Sequence, residues 1–82
     1  MQLDKKVVAI TGGARGLGFA IAKRLGKQGA QIALIDMSAE ALDGAVSALG
    51  SEGVSAHAFV ANVADEQSVQ HVFADIAQRL GP

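Results

Sequence analysis

The sequence lacks several features that define large classes of protein. Its 82 residues include no cysteine, no tyrosine and a single proline. Without cysteine the chain has neither a disulfide framework nor a thiolate zinc site. Its two histidines, His57 and His71, lie far apart in different predicted elements and are not expected to be catalytic. We therefore predict that the chain holds no metal.

Long apolar runs and blocks of like charge are also missing. No segment is long enough to span a membrane, and the apolar run that ends at Ile10 is too short for a signal peptide. These two features predict a cytoplasmic protein with no membrane partner. The formal net charge is −1, and basic residues are interleaved with acidic and apolar ones, which argues against a nucleic-acid partner.

What the sequence does contain is a strict alternation of strand and helix patterns. Strands are predicted over 6–11, 31–36 and 54–60, and helices over 16–28, 39–49 and 66–80. In the first helix Leu17, Ile21 and Leu25 are predicted to form one apolar stripe. Ser38 and Asp65 are candidate caps of the other two helices. The βαβαβα order predicts an α/β fold, half of a doubly wound domain, with parallel strands in the order 3-2-1 and the first two helices on one face.

A glycine-rich turn joins the first predicted strand to the first helix. Thr11, Gly12, Gly16 and Gly18 have the spacing Thr-Gly-x-x-x-Gly-x-Gly. Glycines in such a turn let the backbone approach a pyrophosphate, and the N–H groups that open the helix point at it. The strict G-x-G-x-x-G spacing and that of the phosphate loop of nucleotide triphosphatases are not met. The turn therefore predicts a dinucleotide cofactor.

This turn, between its strand and its helix, resembles the cofactor motif of the short-chain dehydrogenase/reductase family, and the resemblance extends over the whole chain. It implies the adenosine-binding, amino-terminal half of an NAD(P)-binding Rossmann domain, spanning residues 1–82. Members of this family reduce carbonyls or oxidise alcohols by hydride transfer. Within the family, the pattern is somewhat similar to that of the 3-oxoacyl-[acyl-carrier-protein] reductases.

Two charged residues bear on the choice between NAD and NADP. Asp36 lies 18 residues after Gly18, at the end of the second predicted strand, where a carboxylate accepts hydrogen bonds from the adenosine ribose. It would repel the 2′-phosphate of NADP. Arg15 favours NADP instead, since in the family a basic residue before the second glycine often accompanies the use of NADP. Either residue is alternatively a solvated turn residue. We expect NAD, with NADP possible.

The resemblance assigns roles to further residues. Thr11 fixes the turn, and Leu17 offers its N–H to the pyrophosphate while its side chain packs under the helix. Met37 lies along the adenine or is an exposed turn residue. Asn62 and Val63 stand where relatives have an acidic residue followed by valine. The predicted cofactor-binding residues are thus Thr11, Gly12, Arg15, Gly16, Leu17, Gly18, Asp36, Met37, Asn62 and Val63.

The family's catalytic residues have no counterpart in this sequence. They comprise a serine and a Tyr-x-x-x-Lys pair, whereas this chain has no tyrosine. We therefore expect the catalytic half to be absent and the chain alone to be inactive. The first strand would then have an open apolar edge. Its expected partner is a second copy, paired in parallel in the order 3-2-1-1′-2′-3′, or the missing carboxyl-terminal half.

Two other classes of function remain open from the sequence. One is a fragment of an S-adenosylmethionine-dependent methyltransferase, which also has a glycine turn after its first strand and an acidic residue after its second. Such enzymes usually carry an acidic residue ahead of the glycines, where this chain has Thr11. The other is a non-catalytic half-domain whose property is self-association.

Overall fold

A computed structural model describes residues 5–12, 14 and 16–81. Within these residues three strands alternate with three helices: β1 (Val7–Thr11), α1 (Gly16–Gly26), β2 (Gln31–Asp36), α2 (Ala39–Gly50), β3 (Ala56–Val60) and α3 (Glu66–Leu80). The predicted order of elements is confirmed. Three of the predicted bounds are too generous, because β1 begins at Val7 rather than Lys6, α1 ends at Gly26 rather than Gln28, and β3 begins at Ala56 rather than Val54.

The three strands form one parallel sheet in the predicted order, with β2 in the centre. In the register, Val7 pairs with Gln31 and Thr11 with Ile35, and Asp36 pairs with Val60. Because the register is this even, the strands end almost level at their carboxyl ends. That edge of the sheet is where ligands bind in parallel α/β folds.

The central strand carries side chains to a core on each face, as expected of a covered parallel strand. Ile32 and Leu34 pack with residues of α1 and α2 in one cluster. Ile35 packs with Val72 of α3 in the other, together with Phe59 of β3. The first two helices therefore share one face and α3 lies on the other, which confirms the predicted arrangement.

Both predicted caps are present. The Ser38 hydroxyl accepts a hydrogen bond from the Ala41 N–H at 3.1 Å at the start of α2. One carboxylate oxygen of Asp65 accepts from the N–H groups of Gln67 and Ser68 at the start of α3. Each cap satisfies N–H groups that the first turn of a helix leaves without an intrahelical partner.

The predicted apolar stripe of α1 faces the core only at Leu25, which packs against the first core cluster. Leu17 is 77% exposed and Ile21 is 40% exposed, whereas Ala22 is fully buried. Ala22 belongs to the core cluster under α1 and α2, and Gly26 lies so close to Val54 that a Cβ there would overlap it. The prediction that the Leu17 side chain packs under the helix is wrong.

None of the helices in the described part of the chain is both long and apolar enough to cross a membrane.

Candidate cofactor site

The candidate site lies along the carboxyl ends of the three strands. The Gly12 N–H donates to the Ile35 carbonyl at 2.7 Å, and the Ala61 N–H donates to the Asp36 carbonyl at 3.0 Å. These two bonds continue the strand ladders by one residue into the segments that follow β1 and β3. The glycine turn, Asp36 and the segment after β3 consequently form one row across the edge of the sheet.

The glycine turn depends on a backbone conformation that favours glycine. Gly12 has φ of 67° and Gly16 has φ of 57°, both in the left-handed region. A Cβ atom at either position would meet no described atom within 4 Å. Glycine is therefore favoured at these two positions by their backbone conformation and not by lack of room for a side chain. No described atom occupies the space where a Cβ would lie. Gly13 and Arg15 lie outside the described residues.

The start of α1 offers hydrogen-bond donors to an anion. The helix begins at Gly16 and carries no acidic residue in its first turn, so its N–H groups and positive dipole end are not neutralised by its own side chains. The N–H of Gly12 is already bonded to Ile35. The N–H groups of Gly16, Leu17 and Gly18 open the helix and have no partner in a preceding helical turn, so they are the ones that could donate to an anion. For Leu17, the exposed side chain does not alter this backbone role.

Asp36 takes part in its own turn and still keeps one oxygen available. Its Oδ1 accepts from the Met37 N–H at 2.7 Å and from the Ser38 N–H at 3.4 Å. No bond to its Oδ2 is found within residues 5–12, 14 and 16–81. The structural role considered from the sequence, an aspartate that orders the turn before α2, is thus present. It fixes the carboxylate in place and leaves the second oxygen for a hydroxyl group.

Three further predicted site residues flank this row. Met37 is 64% exposed and Val63 is 51% exposed. Asn62 orders the segment after β3, since its Oδ1 accepts from the Ala64 N–H at 3.0 Å and its own N–H donates to the Ser68 hydroxyl at 3.0 Å. Exposed apolar side chains next to an ordered turn are suited to contact a flat apolar ring.

Glu40 is not among the residues predicted from the sequence. Together with Ser38, Gly16 and Phe19, it lines an open groove of about 620 Å³ between the start of α1 and α2. The groove runs beside the glycine turn, so Glu40 adds a second carboxylate to the side of the site where Asp36 ends β2. Its position four residues after Asp36, in the first turn of the next helix, is the signal that could have revealed it.

The histidines lie in other surroundings. His57 is half-buried in β3, with its Nε2 at 3.4 Å from the Ser55 hydroxyl. His71 is exposed on α3 and lines a groove between α3 and β3. In the described part of the chain, no group of three histidine, aspartate or glutamate side chains is arranged to hold a metal ion.

A parallel sheet covered on both faces, with a glycine turn and a helix start at its carboxyl edge, defines the Rossmann class of dinucleotide-binding folds. Comparison with known proteins specifies the family. The short chain dehydrogenase family matches residues 6–82. The chain belongs to this family and corresponds to its amino-terminal portion. Proteins of this family bind NAD(P), and the match favours this assignment over the methyltransferase alternative.

Individual relatives match almost all of the chain. The 2,3-dihydro-2,3-dihydroxybenzoate dehydrogenase of Bacillus subtilis (strain 168) is 41% identical over 80 residues, which are 98% of this chain and 31% of that protein. The LigD apo form from Sphingobium sp. strain SYK-6 superposes with a TM-score of 0.94 at 35% identity, covering 98% of this chain and 34% of LigD.

A structure of xylitol dehydrogenase with bound NAD⁺ is also similar. It superposes with a TM-score of 0.92 at 33% identity, covering 99% of this chain and 31% of the dehydrogenase. The chain thus spans about a third of the length of the relatives it matches.

Proposed function

We propose that this chain binds the adenosine half of NAD(H), as the amino-terminal part of a short-chain dehydrogenase. The observation that carries the proposal is the row at the carboxyl edge of the sheet. There, a left-handed glycine turn and the start of α1, which carries no acidic residue in its first turn, lie next to Asp36, whose position is fixed by its own turn. An anion site and a hydroxyl acceptor side by side match a ribose linked to a pyrophosphate.

The residues have separate roles in this proposal. The N–H groups of Leu17 and Gly18 donate to the pyrophosphate, while Thr11 ends β1 and supports the turn. Asp36 accepts from a ribose hydroxyl through Oδ2. The adenine lies among Met37, Asn62 and Val63, where two apolar side chains are exposed.

We further propose a preference for NAD over NADP. The support is that Asp36 ends β2 and that Glu40 lines the groove beside the glycine turn. Both carboxylates would oppose a 2′-phosphate, which carries roughly −1.5 to −2 charges. Arg15 acts in the opposite direction through its positive charge. Asp36 is expected to prevail because it contacts the ribose directly and its carboxylate is already held by hydrogen bonds.

The test is a titration of the folded chain with NAD⁺, NADP⁺ and ADP-ribose, followed by protein NMR. We expect saturable shifts at the glycine turn and around Asp36, with NAD⁺ bound more tightly than NADP⁺. Asp36→Asn removes a charge-assisted hydrogen bond worth about 1.5–3 kcal/mol, and the affinity for NAD⁺ should fall roughly 10- to 100-fold.

Asp43→Asn is the matched control, because Asp43 is an exposed aspartate of α2 whose substitution makes the same change of charge. It should leave the affinity unchanged. Shifts spread evenly over the surface, or equal losses in the two variants, would contradict the proposed site. Tighter binding of NADP⁺ than NAD⁺ would contradict the proposed preference alone.

The activity of the whole protein is also a proposal: hydride transfer between the nicotinamide and a carbonyl or alcohol, in a domain whose catalytic half lies outside residues 1–82. It is supported by family membership and by relatives named as dehydrogenases. The family's Tyr-x-x-x-Lys pair cannot occur in a chain without tyrosine. We therefore expect this chain to bind the cofactor without oxidising or reducing a substrate.

We also propose that the chain associates with a second copy through the outer edge of β1. The support is that β1 is a terminal strand of the described sheet and that large apolar side chains, including Leu17 and Phe73, are exposed. A cytoplasmic location stays a prediction from the sequence.

A further inference from the structure

The segment between β3 and α3 is held by hydrogen bonds from both of its sides. The Asn62 N–H donates to the Ser68 hydroxyl at 3.0 Å, and the Asn62 carbonyl accepts from the Asp65 N–H at 3.0 Å. The preceding residue, Ala61, donates to the Asp36 carbonyl at the end of β2. The backbone of Asn62 is therefore tied to the first turn of α3 and, through its neighbour, to the central strand.

The side-chain amide of Asn62 has a defined orientation. Its Oδ1 accepts from the Ala64 N–H at 3.0 Å. Only the oxygen of an amide accepts a hydrogen bond from an N–H group, so this contact fixes which end of the amide is the oxygen. The Nδ2 group, with its two N–H donors, forms the other end of an exposed side chain. Turning the amide over would lose the bond to Ala64 and bring donors face to face.

This segment consequently presents hydrogen-bond donors to a ligand. No bond from Asn62 Nδ2 or from the Val63 N–H is found within residues 5–12, 14 and 16–81. The carboxylate of Asp65 caps α3 and lines the groove between β3 and α3, to which neither Asn62 nor Val63 contributes. Two donors on adjacent residues are thus left for a base bound at this segment.

Purine bases differ in what they offer to two neighbouring donors. Adenine has an acceptor beside a donor, because N7 and N1 each lie next to the N6 amino group. A 6-oxopurine such as guanine or hypoxanthine has two acceptors, N7 and O6, next to each other. A pair of donors therefore matches the N7 and O6 edge of a 6-oxopurine, whereas against adenine one of the donors meets the amino group.

We propose that the base site of this chain accepts 6-oxopurine dinucleotides at least as well as NAD, and that Asn62 determines this specificity. The inference rests on the proposed function, in which the base lies among Met37, Asn62 and Val63, and it deepens that function by naming the class of base. Nicotinamide hypoxanthine dinucleotide is the matched ligand, because it differs from NAD only by an oxygen in place of the amino group and by a proton on N1.

The remaining contacts of the base do not distinguish the two purines. The exposed side chains of Met37 and Val63 are apolar, and an apolar side chain contacts the flat face of a ring, which has the same shape in adenine and hypoxanthine. The glycine turn and Asp36 are proposed to bind the pyrophosphate and the ribose, which are identical in the two dinucleotides. Selection between the bases consequently falls to the hydrogen bonds of residues 62 and 63.

An aspartate at position 62 would reverse the selection. Aspartate has the shape of asparagine, and one of its carboxylate oxygens can accept from the Ala64 N–H as Oδ1 of Asn62 does. Its second oxygen would put an acceptor in the place of the Nδ2 donors. That oxygen would accept from the adenine amino group and would repel O6 of hypoxanthine, while the turn itself is preserved.

The first experiment titrates the 82-residue chain with NAD⁺ and with nicotinamide hypoxanthine dinucleotide and compares the two dissociation constants. The unsubstituted chain should bind the hypoxanthine dinucleotide at least as tightly as NAD⁺. Asn62→Asp should change the ratio of the two constants by about 10-fold or more in favour of NAD⁺, because it exchanges a donor for a charged acceptor.

Gln67→Glu is the matched control. Gln67 is exposed in the first turn of α3, so its substitution makes the same change from amide to carboxylate close to the site. It should alter the affinity for both dinucleotides equally and leave their ratio unchanged.

A second experiment observes the side-chain amide of Asn62 directly by protein NMR. Its Nδ2 proton signals should shift on saturation with the hypoxanthine dinucleotide, because Nδ2 then donates to the base. The backbone signal of Ala64 should change little, because its bond to Oδ1 is kept.

The outcomes separate this inference from the proposed function. A chain that binds neither dinucleotide at millimolar concentration overturns both. Tighter binding of NAD⁺ than of the hypoxanthine dinucleotide by the unsubstituted chain overturns the role of Asn62 and leaves the proposed NAD site standing. The same conclusion follows if Asn62→Asp changes the ratio no more than Gln67→Glu does, or if the Nδ2 signals stay in place at saturation.

Discussion

Gly26, the last residue of α1, should be intolerant of a single added methyl group. A Cβ at this position would overlap Cγ1 of Val54 and lie 3.1 Å from its Cγ2 and 3.2 Å from its Cβ. Val54 is 4% exposed and belongs to the core cluster under α1 and α2. Because valine is stiff at χ1, it cannot turn aside without moving other core side chains.

Two opposing effects set the size of the change. Replacing glycine by alanine in a helix gains about 0.5–1 kcal/mol, and the gain is smaller at the last residue, Gly26. Overpacking a core by one methyl group costs about 1–3 kcal/mol. The clash is expected to win, with Gly26→Ala losing about 1 kcal/mol, which corresponds to a melting temperature lower by roughly 4–8 °C in a domain of this size.

The assay is thermal and urea unfolding by circular dichroism, with Gly44→Ala as the control. Gly44 is also in a helix, and a Cβ there would meet no described atom within 4 Å. Gly44→Ala should therefore raise the melting temperature. In the double variant with Val54→Ala, the Gly26→Ala methyl group should be tolerated, giving a favourable coupling of about 0.5–3 kcal/mol. Equal stabilisation by both glycine replacements would refute the argument.

Three further predictions concern charge, capping and the glycine turn. Hydrogen bonds from Lys23, which has the larger effect, and from Lys27 lower the pKa of Glu52 below its ordinary value of 4.5. Their contribution to stability is therefore present above pH 4.5 and lost as the pH falls below it. In unfolding curves recorded at several pH values, Glu52→Gln should therefore lose less stability on acidification than the unsubstituted chain. Asp65→Ala leaves two N–H groups of α3 without their cap and should cost about 0.5–2 kcal/mol by urea unfolding. Gly16→Ala, at φ of 57°, should cost about 1–2 kcal/mol and reduce NAD⁺ binding in the same NMR titration.

The elements most closely predicted from the sequence are those whose signals are local. Ser38 and Asp65 each precede an apolar helical pattern, and each caps its helix as expected. Strand β2 was predicted with its observed bounds, Gln31–Asp36. A cap or a fully buried strand depends on a few adjacent residues, so a sequence pattern can specify it without knowledge of the neighbouring elements.

The backbone of the candidate site was predictable where its signals are local. The spacing of Gly12 and Gly16 reflects a left-handed backbone that the structure contains. The hydrogen bonds by which Asp36 orders its own turn also follow from the local sequence, and this structural role was one of its two predicted alternatives. Glu40 was missed, because its proximity to the turn depends on how α1 and α2 lie against each other, which periodicity does not define.

The error at α1 has a simple physical origin. An apolar stripe predicts that a helix is covered along that stripe, but it does not say by which element. In the structure, Ala22 and Gly26 are the buried residues of α1, whereas Leu17 and Ile21 are left exposed. Of the three stripe residues, Leu25 packs against the core. The periodicity of α1 therefore indicated an apolar stripe without indicating which of its positions the sheet covers.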